Sequence, residues 1–237
     1  MRGNMKFHRL LLKVSGEVLG GENVSIDFDR VEKFANELKT AKELGAEIAV
    51  VIGGGNIIRG YRVSKRGVGR FAADCMGMLG TIINALALQS ALERIGVDTC
   101  VMTAISMEQF AEHYIRRKAL HHLDTGRLII LAGGTGNPYF TTDTAAALRA
   151  VELGAHALLK GTKVDGIYSS DPETDPEAKM IRELSYIDVL KKDLRVMDAT
   201  AVTLCRDNDI PIIVFNLLEK GNLRRVLEGK KLGTIVQ

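Results

Sequence analysis

Short apolar runs alternate along the chain with segments in which apolar residues recur every three to four positions. The runs predict strands at residues 10–14, 46–52, 97–103, 128–132, 155–159, 211–215 and 234–236. The periodic segments predict helices at residues 28–44, 76–95, 115–123, 144–153, 198–208 and 223–227. This alternation is typical of an α/β protein with a mostly parallel central sheet, helices on both faces and three layers, α/β/α.

The 237 residues suffice for one large core, and the sequence contains no linker, repeat or low-complexity tract. We therefore expect a single domain over residues 1–237, with a soft division into two lobes near residue 155. The predicted helix 76–95 is apolar or small on most sides and has no charged residue between Met76 and Ala91. A sheet covers only one side of a helix, so this helix favours self-association of the chain.

Charge and composition exclude several classes of protein. The 32 basic and 29 acidic residues give a net charge of +3, which is too balanced for a nucleic-acid or anionic-membrane partner. Aromatic residues make up only 5% and tryptophan is absent, which weakens a base-stacking module. No apolar run reaches the ~18 residues that span a bilayer, and the first residues lack a signal-peptide core. We expect a cytoplasmic protein.

The three cysteines, Cys75, Cys100 and Cys205, are scattered and form no Cys-x-x-Cys pair. This pattern fits neither a disulfide scaffold nor a zinc site, so we expect buried free thiols. The neighbouring His121 and His122 lie in a charged helical segment and are expected on the solvated surface. No metal ligands are predicted from these spacings.

Three predicted strands end in segments suited to phosphate. They are Lys13-Val14-Ser15-Gly16, Gly53-Gly54-Gly55 and the Thr-Gly-Asn-Pro-Tyr-Phe-Thr-Thr-Asp string at residues 135–143. The carboxyl ends of parallel strands bind ligands, and helix starts offer free N–H groups and a positive dipole end to anions. Three such strand ends predict a protein that handles more than one phosphate group.

Individual side chains at these ends have both functional and structural interpretations. Lys13 is either a cation fixed against transferring phosphates or a lysine that extends from a strand end. Arg59 either forks onto phosphate oxygens or is a surface arginine. Asp74, before the predicted helix 76–95, and Asp143, before helix 144–153, are either site carboxylates or helix caps. Close approach of the backbone to a ligand explains glycines 53–55 better than packing does.

The sequence does not support two other nucleotide-binding patterns, the Walker A loop and the dinucleotide-binding glycine motif. The chain has no Gly-x-x-x-x-Gly-Lys-Ser/Thr loop, and the loose Gly-x-Gly-x-x-Ala match at residues 67–72 follows no strand, which argues against a dinucleotide site. The segment 160–168, with two lysines, a hydroxyl and a tyrosine, follows a predicted strand and suits a nucleotide.

Taken together, these motifs resemble the bacterial uridylate (UMP) kinases, a family of the amino-acid kinase superfamily. The motifs lie at residues 13–17, 53–60, 74–78, 135–143, 160–166 and 196–198, and the resemblance runs from about residue 10 to residue 236. The string at residues 135–143 is the most specific of them. The resemblance implies transfer of the ATP γ-phosphate to UMP, which gives UDP in pyrimidine nucleotide biosynthesis.

The resemblance also implies roles for matching residues. Lys13 and Asp143 would be catalytic, with Asp143 organising the centre. ATP would be bound by Lys13, Val14, Ser15, Gly16, Gly55, Arg59, Thr162, Tyr168 and Asp171. UMP would be bound by Gly54, Asp74, Thr135, Gly136, Asn137, Pro138, Tyr139, Phe140, Thr141 and Thr142. The acceptor lobe would span about residues 1–155 and the ATP lobe about residues 156–237.

By the same resemblance, Mg²⁺ would accompany ATP, the chain would form a homohexamer, and UTP would inhibit it. GTP would activate it, although the segment 20–27 is shorter and less glycine-rich than in relatives that GTP activates. Gly161 stands where the family usually has alanine. Two alternatives stay open: a superfamily kinase with a carboxylate or carbamate acceptor, and a non-catalytic nucleotide sensor. Asp74 and the segment 135–142 suit a ribose and pyrimidine better than an amino acid, and intact Lys13 and Asp143 argue against a sensor.

Overall fold

The computed structural model describes residues 5–58, 67–170, 174–175, 177–192, 194 and 196–237. In chain order its strands are β1 (Arg9–Val14), β2 (Glu47–Ile52), β3 (Thr99–Thr103), β4 (Glu112–His113), β5 (Leu128–Ala132), β6 (Ala157–Thr162), β7 (Ile167–Tyr168), β8 (Met180–Ile181), β9 (Glu183–Leu184), β10 (Ile212–Asn216) and β11 (Thr234–Val236). One nine-stranded sheet has the order β4-β3-β5-β2-β1-β6-β10-β11-β9, and β7 and β8 form a separate hairpin. Within the large sheet only the β10–β11 pairing is antiparallel.

The helices are α1 (Phe28–Glu43), α2 (Arg70–Arg94), α3 (Arg116–Asp124), α4 (Thr142–Leu153), α5 (Tyr186–Lys191), α6 (Ala199–Asp207) and α7 (Asn222–Leu227), with a 3₁₀ turn at Gly16–Val18. Alternate residues of β1 enter two separate cores, since side chains of a strand alternate between faces. Leu10 and Leu12 pack with α1, α2 and α7, whereas Leu11 packs with α3, α4, α5 and α6. The three-layer α/β/α architecture with a mostly parallel sheet is confirmed.

The order of the strands places β1 at a switch point. From β1 the chain passes to β2 and later to β5 on one side, whereas β6 and β10 lie on the other side. Ligands of open α/β sheets bind beyond the carboxyl ends of the strands at such a point. Lys13, the last residue but one of β1, therefore lies between two groups of strand-end loops.

Element boundaries agree with the sequence where periodicity is strong and differ elsewhere. The strands predicted at residues 128–132 and 234–236 are found with those bounds. The strand predicted at 155–159 begins instead at Ala157 and continues to Thr162. Helix α2 begins at Arg70 rather than at residue 76, because its first turns already bury Ala73, while the charged residues Arg70 and Asp74 conceal the period. Helix α5 and the two-residue strands were not predicted, since such short elements carry little periodicity.

Helix α2 also departs from the expectation about membrane spans. By length and composition alone it is apolar enough to cross a membrane, although core helices of folded domains meet the same criterion. Only 39% of its most apolar window is buried within the chain. Ile82 and Leu88 point into the core, whereas the α2 outer face, formed by Ala72, Met76, Leu79, Ile83 and Leu86, remains exposed or half-buried. These outer residues follow one another at alternating four- and three-residue spacing, which aligns them along one stripe.

Candidate active site

Two lysines lie side by side at the carboxyl ends of neighbouring strands. Lys13 of β1 and Lys160 of β6 are direct partners in the parallel β1–β6 register. Only 8% of Lys13 is exposed, so the two ammonium groups would repel each other in a poorly screened environment. Asp143, in the first turn of α4, lies between them, with Oδ1 2.7 Å from Lys13 Nζ and Oδ2 3.1 Å from Lys160 Nζ. One carboxylate therefore bridges both cations.

The charges of this Lys13–Asp143–Lys160 triad shift one another's ionisation. Burial raises the pKa of the Asp143 carboxyl, but the two lysines outweigh burial and hold its pKa below the ordinary value. Burial lowers the pKa of Lys160, and Lys13 lowers it further, whereas Asp143 opposes both effects. With all three groups ionised, two positive charges meet one negative charge. The excess positive charge suits a bound phosphate.

A network of hydroxyl groups fixes the start of α4, which carries Asp143. Thr141 is the N-cap of α4, and its hydroxyl accepts hydrogen bonds from the first backbone N–H groups of the helix. Asp198, the N-cap of α6, accepts hydrogen bonds from the Thr141 hydroxyl and, at 2.9 Å, from the Thr144 hydroxyl. Lys160 also donates to the backbone carbonyl of Val196. The segment 196–198 thus joins two helix starts and holds one lysine of the triad.

Two buried polar side chains of α2 hold the glycine loops in place. Asn84 Nδ2 donates to the carbonyl of Gly53 at 2.8 Å, and Thr81 Oγ1 accepts from the N–H of Gly133 at 2.8 Å. Both residues are almost completely buried in an otherwise apolar helix. Buried polar groups are costly unless they are paired, so these contacts fix the loops after β2 and β5 against α2.

The glycines of the β2 loop have different reasons to be glycine. A Cβ on Gly54 would lie 2.5 Å from the carbonyl oxygen of Gly77 in α2, so close packing of the loop on the helix already excludes a side chain. The expectation that ligand approach explains all three glycines better than packing is therefore wrong for Gly54. A Cβ on Gly55 would meet nothing within 4 Å, so this position faces open space.

A cleft of about 130 Å³ lies between α2 and the loops after β2 and β5. Most residues predicted to bind UMP line it, namely Gly54, Asp74, Thr135, Asn137, Phe140, Thr141 and Thr142, whereas Gly136, Pro138 and Tyr139 do not. Gly55, predicted on the ATP side, also lines this cleft.

Asp74 connects the two walls of the cleft. Its Oδ2 accepts a hydrogen bond from the backbone N–H of Tyr139 at 2.8 Å and pairs with Arg70 Nε at 2.8 Å. Tyr139 has φ 72°, a left-handed conformation that is uncommon outside glycine. The N-cap of α2 is Gly69, and Asp74 lies inside the helix. The alternative interpretation of Asp74 as a helix cap is therefore wrong.

Apart from Gly55, the described residues predicted to bind ATP lie around β1 and on its β6 side. Ser15 is the N-cap of the 3₁₀ turn after β1, and Val14 is the last residue of β1. Thr162 ends β6, and its hydroxyl donates to the carbonyl of Val164 at 2.6 Å. Tyr168 is half-buried on β7.

Two glycines on this side, Gly16 and Gly161, lie too close to neighbouring side chains to carry a Cβ. A Cβ on Gly16 would lie 2.2 Å from Asn56 Oδ1, so the β1 and β2 loops interlock. A Cβ on Gly161 would lie 2.7 Å from Leu217, which fills the space that an alanine would need. Arg59 and Asp171 lie outside the described residues.

Comparison with known proteins agrees with this geometry. The model of the amino acid kinase family matches residues 8–216. A UMP kinase from Bacillus anthracis is 42% identical, with a TM-score of 0.95 over 98% of this chain and 96% of that one. A UMP kinase from Ureaplasma parvum is 36% identical, with a TM-score of 0.92 over 98% and 100% of the two chains. The chain belongs to the UMP kinases of the amino acid kinase family.

A more distant UMP kinase shares the same fold. The uridylate kinase from Archaeoglobus fulgidus is 26% identical, with a TM-score of 0.75 over 96% of this chain and 99% of that one. The two chains therefore share this fold over almost their whole length.

Four residues around the triad and cleft of this UMP kinase were not assigned a site role from the sequence, namely Lys160, Thr81, Asn84 and Asp198. Lys160 belongs to the motif at residues 160–166, but only the register between β1 and β6 shows that it lies opposite Lys13. Thr81 and Asn84 carried a readable signal, because they are polar residues three positions apart within an uncharged helical segment. Asp198 belongs to the motif at residues 196–198 and starts a predicted helix, but no site role was assigned to it.

We expect Asp143→Asn to lower the free energy of unfolding by about 3 kcal/mol at pH 7, because the two lysines lose their shared carboxylate. The folded pKa of Asp143 is lowered, so its stabilisation is fully present above the unfolded pKa of about 3.9 and is lost as pH falls through the folded pKa. Urea unfolding between pH 7 and pH 3 measures the difference between wild type and variant, which should shrink on acidification.

Asp207→Asn is the control for this experiment, because Asp207 is an exposed carboxylate at the end of α6. The free energy of unfolding of this variant should differ little from that of wild type. The buried bridge would be contradicted if Asp143→Asn lowered the free energy of unfolding at pH 7 by as little as the control does. It would also be contradicted if the difference from wild type grew on acidification.

Proposed function

We propose that the chain transfers the γ-phosphoryl group of ATP to the phosphate of UMP and releases UDP and ADP. The observation that carries the proposal is the triad at the centre of the sheet, with a cleft on one side and the predicted ATP residues on the other. The names of the similar kinases support UMP as the acceptor.

In the proposed reaction an oxygen of the UMP phosphate forms a bond to the γ-phosphorus as the bond to the β-phosphate oxygen of ATP breaks. The acceptor phosphate is ionised near pH 7, so the step needs little proton removal. It needs two anions to be brought in line and their repulsion offset. Lys13 and Lys160 supply positive charge at the meeting point, and Asp143 orients both ammonium groups.

Mg²⁺ is proposed to enter with ATP. Magnesium takes oxygen ligands and is commonly held by substrate phosphates, water and one or two carboxylates. Both oxygens of Asp143 already face lysines, and the Asp198 carboxylate is occupied by two threonine hydroxyls and a backbone N–H. These contacts favour a metal held mainly by the ATP phosphates, where it neutralises charge on the transferring group.

The alternatives fit less well. A carboxylate or carbamate kinase of the superfamily is not favoured, because the similar structures that match almost the whole chain are UMP kinases. A nucleotide sensor only has to bind its ligands. It would not need a carboxylate that bridges two lysines at the place where those ligands meet.

A coupled assay with ATP and each nucleoside monophosphate tests the proposal. We expect UMP to be the preferred acceptor and Lys13→Ala to lower turnover by on the order of 10²-fold or more, because a charge that meets the transition state is lost. Lys191→Ala, an exposed lysine on α5, is the control and should keep wild-type turnover. Near-wild-type turnover of Lys13→Ala would remove Lys13 from the mechanism, and preference for another acceptor would overturn the assignment of UMP.

Asp74 is proposed to bind the acceptor ribose from its place in the cleft wall. Asp74→Asn keeps an oxygen that accepts from Tyr139 N–H but loses the charge and one acceptor, so we expect KM for UMP to rise on the order of tenfold. The melting temperature should change little, because Asp74 does not cap α2. Steady-state kinetics and thermal unfolding measure the two effects. A lowered melting temperature with an unchanged KM for UMP would assign Asp74 a structural role instead.

The chain is proposed to form a homohexamer built from dimers, with the α2 outer face in contact with a second copy. Met76, Leu79 and Ile83 are 36%, 45% and 48% exposed, an apolar stripe that water disfavours. The hexamer itself comes from the resemblance, and the exposed stripe supports self-association.

Sedimentation at micromolar concentration tests the assembly. We expect wild type to sediment as a hexamer and Ile83→Glu to shift it toward smaller species, because a charge would be buried in the contact. Ile187→Glu is the matched control, since Ile187 is 52% exposed on α5, in the other helical layer. A wild-type monomer near 25.9 kDa would contradict the proposal.

Two further parts of the proposal follow the resemblance alone, namely that UTP inhibits and that GTP activates. The division into an acceptor lobe of about residues 1–155 and an ATP lobe of about residues 156–237 is proposed on the same ground. A cytoplasmic location is proposed from the sequence. Activity titrated with each nucleotide at subsaturating ATP tests the regulation. A flat response to UTP would refute inhibition.

A further inference from the structure

A second cluster of reactive side chains lies at the β4 edge of the sheet. Cys100 on β3, Glu112 on β4 and His122 on α3 bring a sulfur, an oxygen and a nitrogen to within 4.8 Å of one another. Glu112 Oε2 is 2.8 Å from His122 Nε2 and 3.5 Å from Cys100 Sγ. The three residues belong to two strands and a helix, so the cluster exists only in the folded chain.

The cluster is sheltered rather than solvated. The His122 side chain is 13% exposed and that of Glu112 is 29% exposed, while Cys100 is half-buried. The expectation that His121 and His122 both lie on the solvated surface is therefore wrong for His122, and only His121 is exposed. The expectation that all three thiols are buried holds only for Cys205.

The carboxylate of Glu112 is divided between two kinds of partner. Its Oε1 pairs with Lys118 Nζ at 2.9 Å, whereas Oε2 faces the cysteine and the histidine. Burial raises the pKa of the Glu112 carboxyl, but hydrogen bonds from His122 and Lys118 outweigh it, so its pKa falls to about 2. Oε2 is thus an ionised oxygen between a ring nitrogen and a sulfur. Burial and Glu112 raise the pKa of the Cys100 thiol to about 12.

We propose that Cys100, Glu112 and His122 form a binding site for a divalent transition metal, with Zn²⁺ as the preferred ion. One sulfur, one nitrogen and one oxygen are a ligand set that zinc accepts, whereas magnesium and calcium take oxygen ligands. On binding, a bond forms between the metal and Cys100 Sγ, and the thiol proton leaves to solvent. Water takes the fourth position on the exposed side of Glu112.

Such an ion would add a cross-link between the edge strand β4 and its neighbours. Strand β4 has two residues and forms the last strand at this edge of the sheet. The metal would tie β4 and α3 to β3 through three side chains. A ligand that binds only the folded chain stabilises it, so we expect Zn²⁺ at about 100 times its Kd to raise the melting temperature by at least ~5 °C.

Titration of the metal-free, full-length protein with Co²⁺, followed by Zn²⁺, tests the site. We expect one equivalent of Co²⁺ to give a thiolate-to-cobalt charge-transfer band, and Zn²⁺ to abolish it by displacement. Cys100→Ser should lose the band, and His122→Gln should weaken metal affinity at least tenfold. Cys75→Ser and His121→Gln are matched controls, a half-buried cysteine on α2 and the adjacent exposed histidine, and should behave as wild type.

A second measurement on the wild-type protein keeps the proposal testable if a variant fails to fold. Alkylation mapped by mass spectrometry should show that Zn²⁺ protects Cys100 while Cys75 continues to react. The proposal is overturned if wild type gives no thiolate band, if the band survives Cys100→Ser, or if Zn²⁺ leaves Cys100 as reactive as before.

Discussion

The placement of one carboxylate between two lysines determines much of this structure. Lys13 and Lys160 are opposite each other on neighbouring buried strands, a pairing that is unfavourable without a counter-charge. Asp143 supplies it, with its two oxygens at 2.7 and 3.1 Å from the two ammonium nitrogens. Because Asp143 belongs to α4, the start of that helix must stay close to the carboxyl ends of β1 and β6. The loop that leads into α4 is thereby fixed above the sheet.

The same placement explains how the surrounding polar residues are arranged. Asp198 receives the hydroxyl groups of Thr141 and Thr144, so α6 and α4 begin at a common point. On the other side, Asn84 and Thr81 bind the loops after β2 and β5 to α2. These contacts satisfy polar groups of the loops and helix starts, and together they leave a cleft next to a positive centre. Phosphoryl transfer depends on positioning and on the field at the transferring group, which such a framework supplies before substrates arrive.

The sequence was sufficient for the fold class and for much of the candidate site. Apolar runs and helical periods are local signals, and they gave the three-layer architecture and most strands. Lys13, at a strand end, and Asp143, before a predicted helix, were candidates with open alternatives, and the resemblance assigned their catalytic roles. The pairing of Lys13 with Lys160 could not be predicted, because the register between β1 and β6 depends on contacts across more than half of the chain. The start of α2 was misplaced because its first turns have two charged residues and a single buried alanine. His122 was misjudged because its partners come from two other elements.

The central claim is that Asp143 acts by placing Lys13 and does not remove a proton itself. A double-mutant cycle on kcat/KM with Lys13→Met, Asp143→Asn and the double variant tests it most directly. If Asp143 works by placing Lys13, the double variant should be no slower than about the slower of the two single variants. Losses that multiply in the double variant would show that Asp143 contributes independently of Lys13, and would contradict the account.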